Sequence, residues 1–336
     1  MKILIHSYLP QHLSAISPVQ QILEERGHMI VFTEWSKDNW VPGTPSSWAP
    51  KWDKVHIPNA DMTIIAHGPD SLELPRPIVI IPHGCGVLSP GITSPVHGGA
   101  QLGIVQGSIH YEQCCQYPSN QKFAIVGWPK LDTLTNKDPL LAKNIIIEKY
   151  NLNPNKPIVV FATTYNIPSW DISPNSPGYL ARDVFKQLKS GYNVLFCPHE
   201  LDNWKTDTQG LPNVVLTNNK NECLAGCDIL VGDRGSITSE FLVTGKPLVH
   251  LWNTPEADTA IPHLWADHNK EAVSFGPRIS VNSLRDTIDS IILDKTDNFK
   301  DLREAWCNRI FHHPNGKASL RTADVIEKFV KEYKCK

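Results

Sequence analysis

The stretch that most constrains this 336-residue chain runs from Cys227 to Leu251, CDILVGDRGSITSEFLVTGKPLVHL. Cys227–Val231 is an apolar run of buried-strand length, Gly232-Asp233-Arg234-Gly235 is turn chemistry, and Ser236 stands as the N-cap of the helix that follows. Gly245 stops that helix, and after Pro247 the run Leu248–Leu251 begins another strand. Strand, turn, helix, strand is a βαβ unit, which belongs to a parallel sheet. A turn past the carboxyl end of such a strand aims backbone N–H groups and a helix dipole at one point, a place suited to phosphate. In that turn Gly235, Ile237 and Arg234 flank the hydroxyls of Ser236, Thr238 and Ser239, while Glu240 and Asp233 are placed to meet a ribose or nucleotide. Alone, the stretch reads sooner as an ordinary βαβ connection with a serine cap, and the rest of the chain reverses that order.

The length suits two domains. Lys and Arg number 32 against 34 Asp and Glu, a net charge of −2 that leaves neither a nucleic-acid footprint nor a polybasic membrane anchor. Eight cysteines are scattered without a disulfide framework, and no Cys/His pair follows Cys223 and Cys227 at zinc spacing, so reduced thiols and no metal are expected. No apolar run reaches the roughly 18 residues of a membrane span. The expectation is a cytoplasmic protein with at most peripheral membrane contact.

The first half opens on strand Lys2–Ile5, a polar loop from His6 to Ser14, a helix over about Ser17–Arg26, and strand Met29–Thr33. This is the opening of a doubly wound domain without the glycine-rich dinucleotide fingerprint, so no cofactor is expected. Residues 35–60, rich in Trp and Pro, are too irregular for an element. Met62–His67 and Pro77–Pro82 are strands that each end at a His-Gly step. His83-Gly84-Cys85-Gly86 falls on the ligand edge of the sheet, where a histidine can take a proton from an attacking hydroxyl. His67 reads as an ordinary loop residue. Strands 103–106 and 124–126 follow, the second running into Gly127-Trp128-Pro129, a forced extended turn from which Lys130 and Asp132 point toward the space between the halves.

One amphipathic helix lies within 136–156 and ends in Asn-Leu-Asn-Pro-Asn-Lys-Pro, the best boundary in the chain. A second series begins at Ile158 and ends in Thr163-Thr164-Tyr165-Asn166; strand 193–196 leads into Cys197-Pro198-His199-Glu200, then 214–217 and the central stretch. Val273–Phe275 is a small strand, and helices over about 282–294, 298–311 and 318–334 close the chain. The expected fold is α/β: two Rossmann-like doubly wound domains facing across a cleft, 1–140 and 157–317. A linker at 141–156 joins them, and a C-terminal helix at 318–336 packs back on the first. Thr163, Thr164, Gly84, Lys130 and Asp132 belong to that expected cleft.

PHGCGVLSPG, VGWPKLD, IVVFATTY, VLFCPHE, DILVGDRGSITSEFLVTGKPLV and HPNGKASLRTADVI come in one order. That order resembles the CDP-glycerol glycerophosphotransferase family of teichoic-acid primases and polymerases, which have the GT-B architecture, over about residues 80–330. The resemblance implies that His83 is the base on the acceptor hydroxyl and that His199 contacts the donor diphosphate. Asp233 and Ser236 match the Asp and second Ser of the family's D-Y-S-S motif. Glu240 stands at a nucleotide-contacting Asp, and Gly127, Pro129 and Asp132 match a G-x-P-R-x-D turn. The chain departs from the pattern at Lys130 for Arg, Arg234-Gly235 for Tyr-Ser, Cys197 for Lys, and Ser89 after Leu88. The implied activity moves a glycerol-phosphate or sugar group from a CDP- or UDP-linked donor to a hydroxyl acceptor in cell-surface polymer synthesis, without metal. A UDP-sugar 2-epimerase of the same shape and a non-catalytic nucleotide-sugar binder are the alternatives.

Overall fold

The computed structural model describes residues 1–6, 10–33, 57–66, 73–84, 99–116, 119–163, 180–199, 220–233, 235–251 and 275–335. These divide into two compact units, one built from Met1–Cys85 and Pro90–Asn136 with Asn308–Lys336, the other chiefly from Lys137–Cys307. In chain order the first unit holds β1 (Lys2–His6), α1 (Pro10–Glu25), β2 (Met29–Phe32), β3 (Met62–Ile65), β4 (Ile78–Ile80), β5 (Leu102–Val105), α2 (Ser108–Cys114), β6 (Lys122–Ile125) and α3 (Pro129–Thr135). In the second lie α4 (Pro139–Lys149), β7 (Ile158–Ala162), α5 (Ala181–Leu188), β8 (Asn193–Cys197), α6 (Lys220–Gly226), β9 (Ile229–Gly232), α7 (Ser236–Phe241), β10 (Leu248–Leu251), β11 (Arg278–Ile279), α8 (Leu284–Ile292) and most of α9 (Lys300–Ile310). The last helix, α10 (Ala318–Lys334), returns to the first unit.

Both sheets are parallel throughout, in the orders β2-β1-β3-β4-β5-β6 and β11-β10-β9-β7-β8. The continuous apolar strands predict this, since a parallel sheet covered on both faces buries every strand residue. Residues of β3, β4, β5, β7, β8, β9 and β10 are buried without alternation. Each fully buried Ile, Leu or Val there contributes about 1.5–3 kcal/mol of transfer free energy. The first core gathers Ile3, Ile5, Ile64 and Val79 with Ile16 and Val19 of α1 and with Ala323, Ile326 and Val330 of α10. A second gathers Phe161, Val194, Val231 and Val249 with Val184 of α5 and Ile288 of α8. Strand order reverses once in each sheet, between β1 and β3 and between β7 and β9, and ligands of such sheets bind past the carboxyl ends of the strands at that reversal.

Several expected boundaries move. The helix expected from Ser17 begins at Pro10 and passes through Pro18. Proline suits a helix's first turn, which makes Ser17-Pro18 look like a start, but Pro10 already supplies one. Trp128-Pro129 is extended only at Trp128, the N-cap, and Pro129 opens a short helix, not a turn. The cap of α7 is Gly235 rather than Ser236. Gly245 ends that segment with φ +66°, the left-handed close its sequence implies. Helix α4 packs on α6, with Lys143 paired to Asp228 at 2.8 Å and Ile146 against Gly226, so residues assigned to a linker form part of the second unit. The last described strand of the second sheet is Arg278–Ile279, pairing β10 just past the strand expected over 273–275. Of that expected strand only Phe275 is described, and strand 214–217 lies outside the described residues.

Candidate active site

In the second unit the register sets four strand ends level. Ala162 pairs with Cys197 on one side and Gly232 on the other, and Gly232 pairs with His250. One residue further on, Thr163 and Asp233 stand on adjacent strands at the reversal point. Side chains alternate along a strand, so these two share a face with Phe161 and Val231. Both are nearly sealed, at 4 % and 2 % exposure. Among the described residues the Thr163 hydroxyl has no hydrogen-bond partner. A buried hydroxyl without a partner costs about 1–3 kcal/mol, and a ligand that bonds it recovers that cost.

The turn after β9 is held from inside. Asp233 Oδ1 accepts the Gly235 N–H at 2.7 Å, and the Gly235 carbonyl accepts both the Thr238 hydroxyl at 2.7 Å and its N–H at 3.1 Å. Thr238 is therefore engaged inside the turn and buried, not a free donor as its sequence position suggests. Its methyl lies 2.6 Å from where a Cβ on Gly232 would stand, so no other residue fits there. Gly235, Ser236 and Ile237 remain half-buried, and Glu240 is buried. Arg234 and Thr164 lie outside the described residues. His199, two residues past β8, is half-buried. Cys197, which stands where the family has Lys, is fully buried, and its thiol is pushed well above the usual range by bonding to Cys223 and by burial. It supplies packing where a lysine would supply charge.

In the first unit His83 follows β4 and is half-buried. Its Nδ1 lies 3.4 Å from the Ala66 carbonyl, and donation there leaves the lone pair on Nε2, the form a general base needs. The His83 ring meets that of His12, centroids 4.5 Å apart and tilted 44°. His12 is buried in the first turn of α1, and burial pushes His6, at the end of β1, down to about 4. Two side chains secure the turn: Trp128 Nε1 donates to Pro82 O at 2.9 Å, and Gln106 Nε2 to Gly84 O at 2.7 Å. Lys130 places its ammonium 5.0 Å over the Trp128 ring. Gly84 and Lys130 are thus gathered around the same turn. Cys85, Gly86 and His67 lie outside the described residues.

Asp132 does not belong with them. Its carboxylate accepts the Ala318 N–H at 3.0 Å and the Ser319 N–H at 2.7 Å, capping α10 from a buried position. Arg321 Nε of the same helix donates to Val126 O at 2.7 Å. Gly127 has φ +89°, and a Cβ there would meet His312 O at 2.7 Å. The segment 127–132 therefore fastens the last helix within the first unit.

Residues that sequence reasoning missed are His12, Gln106 and His250. Pro10 as a helix start carried the signal for His12, since it puts that residue in a first turn beside the end of β1. Gln106 and His250 have no local signal. Among the described residues no group of three or more His, Cys, Asp or Glu side chains is placed to hold a metal, and no helix is long and apolar enough to cross a membrane.

With this geometry in hand, residues 109–328 match the family model described as CDP-Glycerol:Poly(glycerophosphate) glycerophosphotransferase, well over half of the chain. The chain belongs to that family. It is an enzyme of the transferase class. The wall teichoic acid polymerase TagF aligns over 99% of this chain and 90% of its own, with TM-score 0.69 and 18% identity. A histidine-to-asparagine variant of TagF soaked with CDPG aligns over 99% and 89%, with TM-score 0.71 and 15% identity. A UDP-GlcNAc 2-epimerase from Neisseria meningitidis bound to UDP-GlcNAc aligns over 98% and 100%, with TM-score 0.56 and 12% identity. At these identities the likeness is one of fold: two parallel-sheet α/β domains of GT-B-like type. No curated protein sequence matches the chain.

Proposed function

We propose that this glycerophosphotransferase-family member takes CDP-glycerol as donor and passes its glycerol-phosphate to a hydroxyl of a growing cell-surface polymer, acting from the cytoplasm. The observation that carries the donor half is Thr163 and Asp233 side by side at the strand-order reversal, one with a buried, unpartnered hydroxyl and the other closing a turn on Gly235. Doubly wound sheets bind their ligands at that place. A nucleotide's ribose or base supplies the bond that Thr163 lacks, and the half-buried turn at Gly235–Ile237 takes the diphosphate, a role we give also to His199. Arg234, Thr164 and Glu240 belong to the same donor role.

The proposed step is an in-line displacement at the phosphorus that bears glycerol. The acceptor oxygen bonds to that phosphorus, the bridging P–O bond breaks, and CMP leaves with the bond's electron pair. The acceptor proton passes to Nε2 of His83, with Nδ1 donating to Ala66 O. His199 stabilises charge on the departing phosphate. The protein supplies positioning and fixed positive potential, with no metal in the step.

His83→Ala tests the base. Transfer from CDP-glycerol is expected to fall by about 10²–10⁴-fold, the range for a positioned general base, with donor affinity unchanged. Retained turnover in a folded variant would remove His83 from the chemistry. The epimerase reading predicts a new UDP-sugar epimer when the protein is incubated with UDP-GlcNAc alone, and none is expected.

A further inference from the structure

We infer that His250 is a positioning residue for the donor turn: it holds the Asp233 carbonyl so that the turn at 233–236 keeps one conformation. The inference rests on the reading of that turn as part of the donor site. His250 lies on β10, in register with Gly232 of β9, and register partners in a parallel sheet point to the same face. The imidazole reaches one residue past its register partner, its Nδ1 donating to Asp233 O at 3.2 Å. The ring is entirely inaccessible and stands 6.0 Å from Phe275, which itself meets Trp306 edge-on at 5.5 Å.

Three features argue that this bond, rather than packing, accounts for the residue. The acceptor is a carbonyl, so the ring N–H must sit on Nδ1. Burial drives the imidazole down to about 4, so it is neutral and has that single N–H. Its Nε2 is buried with no partner among the described residues. A phenylalanine would fill similar volume without burying an unpaired nitrogen, so packing alone favours replacement; the Nδ1 bond is what a histidine adds. That bond starts a continuous chain: imidazole to Asp233 carbonyl, Asp233 carboxylate to Gly235 N–H, Gly235 carbonyl to Thr238. The chain tethers the turn to the sheet at one end and to α7 at the other.

Two isosteric amides separate the possibilities. His250→Asn keeps an N–H at the place of Nδ1, whereas His250→Gln moves it to the place of Nε2. In the full chain, His250→Asn is expected to stay within threefold of the parent in CDP-glycerol dissociation constant and KM. His250→Gln and His250→Phe are expected to weaken both by tenfold or more, with kcat changed less than KM. Amide hydrogen exchange over 235–238, without donor, is expected to run at least tenfold faster in His250→Gln than in His250→Asn. Equal exchange and equal affinity in the two amide variants would overturn the inference even if His250→Phe fails to fold. Should the parent not bind CDP-glycerol at all, the donor reading fails separately, and the exchange comparison still decides whether His250 positions the turn.

Discussion

Replacing Asp132 by alanine separates a site residue from a structural cap. The carboxylate is buried and accepts two backbone N–H bonds, from Ala318 at 3.0 Å and Ser319 at 2.7 Å, at the start of the 17-residue α10. A cap on an exposed helix is worth about 1 kcal/mol. Hydrogen bonds to a charged acceptor are worth about 1.5–3 kcal/mol each, and alanine leaves both donors buried and unmet. The expected loss for Asp132→Ala is therefore about 3 kcal/mol, and about half that for Asp132→Asn, which keeps one acceptor oxygen. At 2–4 °C per kcal/mol for a unit of this size, the first transition in a melt should drop by about 6–12 °C. Calorimetry of the full chain reads that shift, and CDP-glycerol titration at 20 °C should give an unchanged dissociation constant. A variant that melts like the parent but has lost transfer would refute the reasoning and return Asp132 to the active site.

Thr163→Val should leave melting unchanged or slightly raised, because it removes an unpartnered buried hydroxyl, while weakening CDP-glycerol by about tenfold through the lost ligand bond; equal affinity in a titration would exclude Thr163 from the donor site. For pH dependence, His6 and His250 are both lowered to about 4 by burial, from an ordinary 6.5. The unfolded chain therefore binds protons first as pH falls, and the folded state loses stability from about pH 6.5 down to about 4, by roughly 1.4 kcal/mol per pH unit per histidine. Urea denaturation across that range should show the slope in each unit's transition, and His6→Phe should flatten it for the unit that holds His6 while leaving that of the unit with His250 unchanged.

The site's legibility follows the range of its interactions. The places of His83, His199, Thr163 and Asp233 past strand ends were readable because each follows a continuous apolar strand, and position past a strand's end is a local property of the sequence. Thr238 misled for a local reason of its own: a hydroxyl in a first turn looks like a donor for a ligand, yet it bonds Gly235 O. Asp132 misled because its partners, Ala318 and Ser319, lie 186 and 187 residues away. Nothing near Asp132 in the chain distinguishes a carboxylate facing a ligand from one capping a distant helix.

By itself the sequence determined the elements and their kind. Apolar strands too uniform to have a wet face demand parallel sheets covered on both sides, and the glycine, proline and polar breaks between them set where each strand must end. Tertiary structure alone decided which strands are neighbours, and so which ends stand together. Pairing β7 with β9 sets Thr163 next to Asp233, and pairing β10 with β9 brings the His250 imidazole to the Asp233 carbonyl. Strand order is chosen by the packing of both faces at once, a property of the whole sheet that no window of sequence contains.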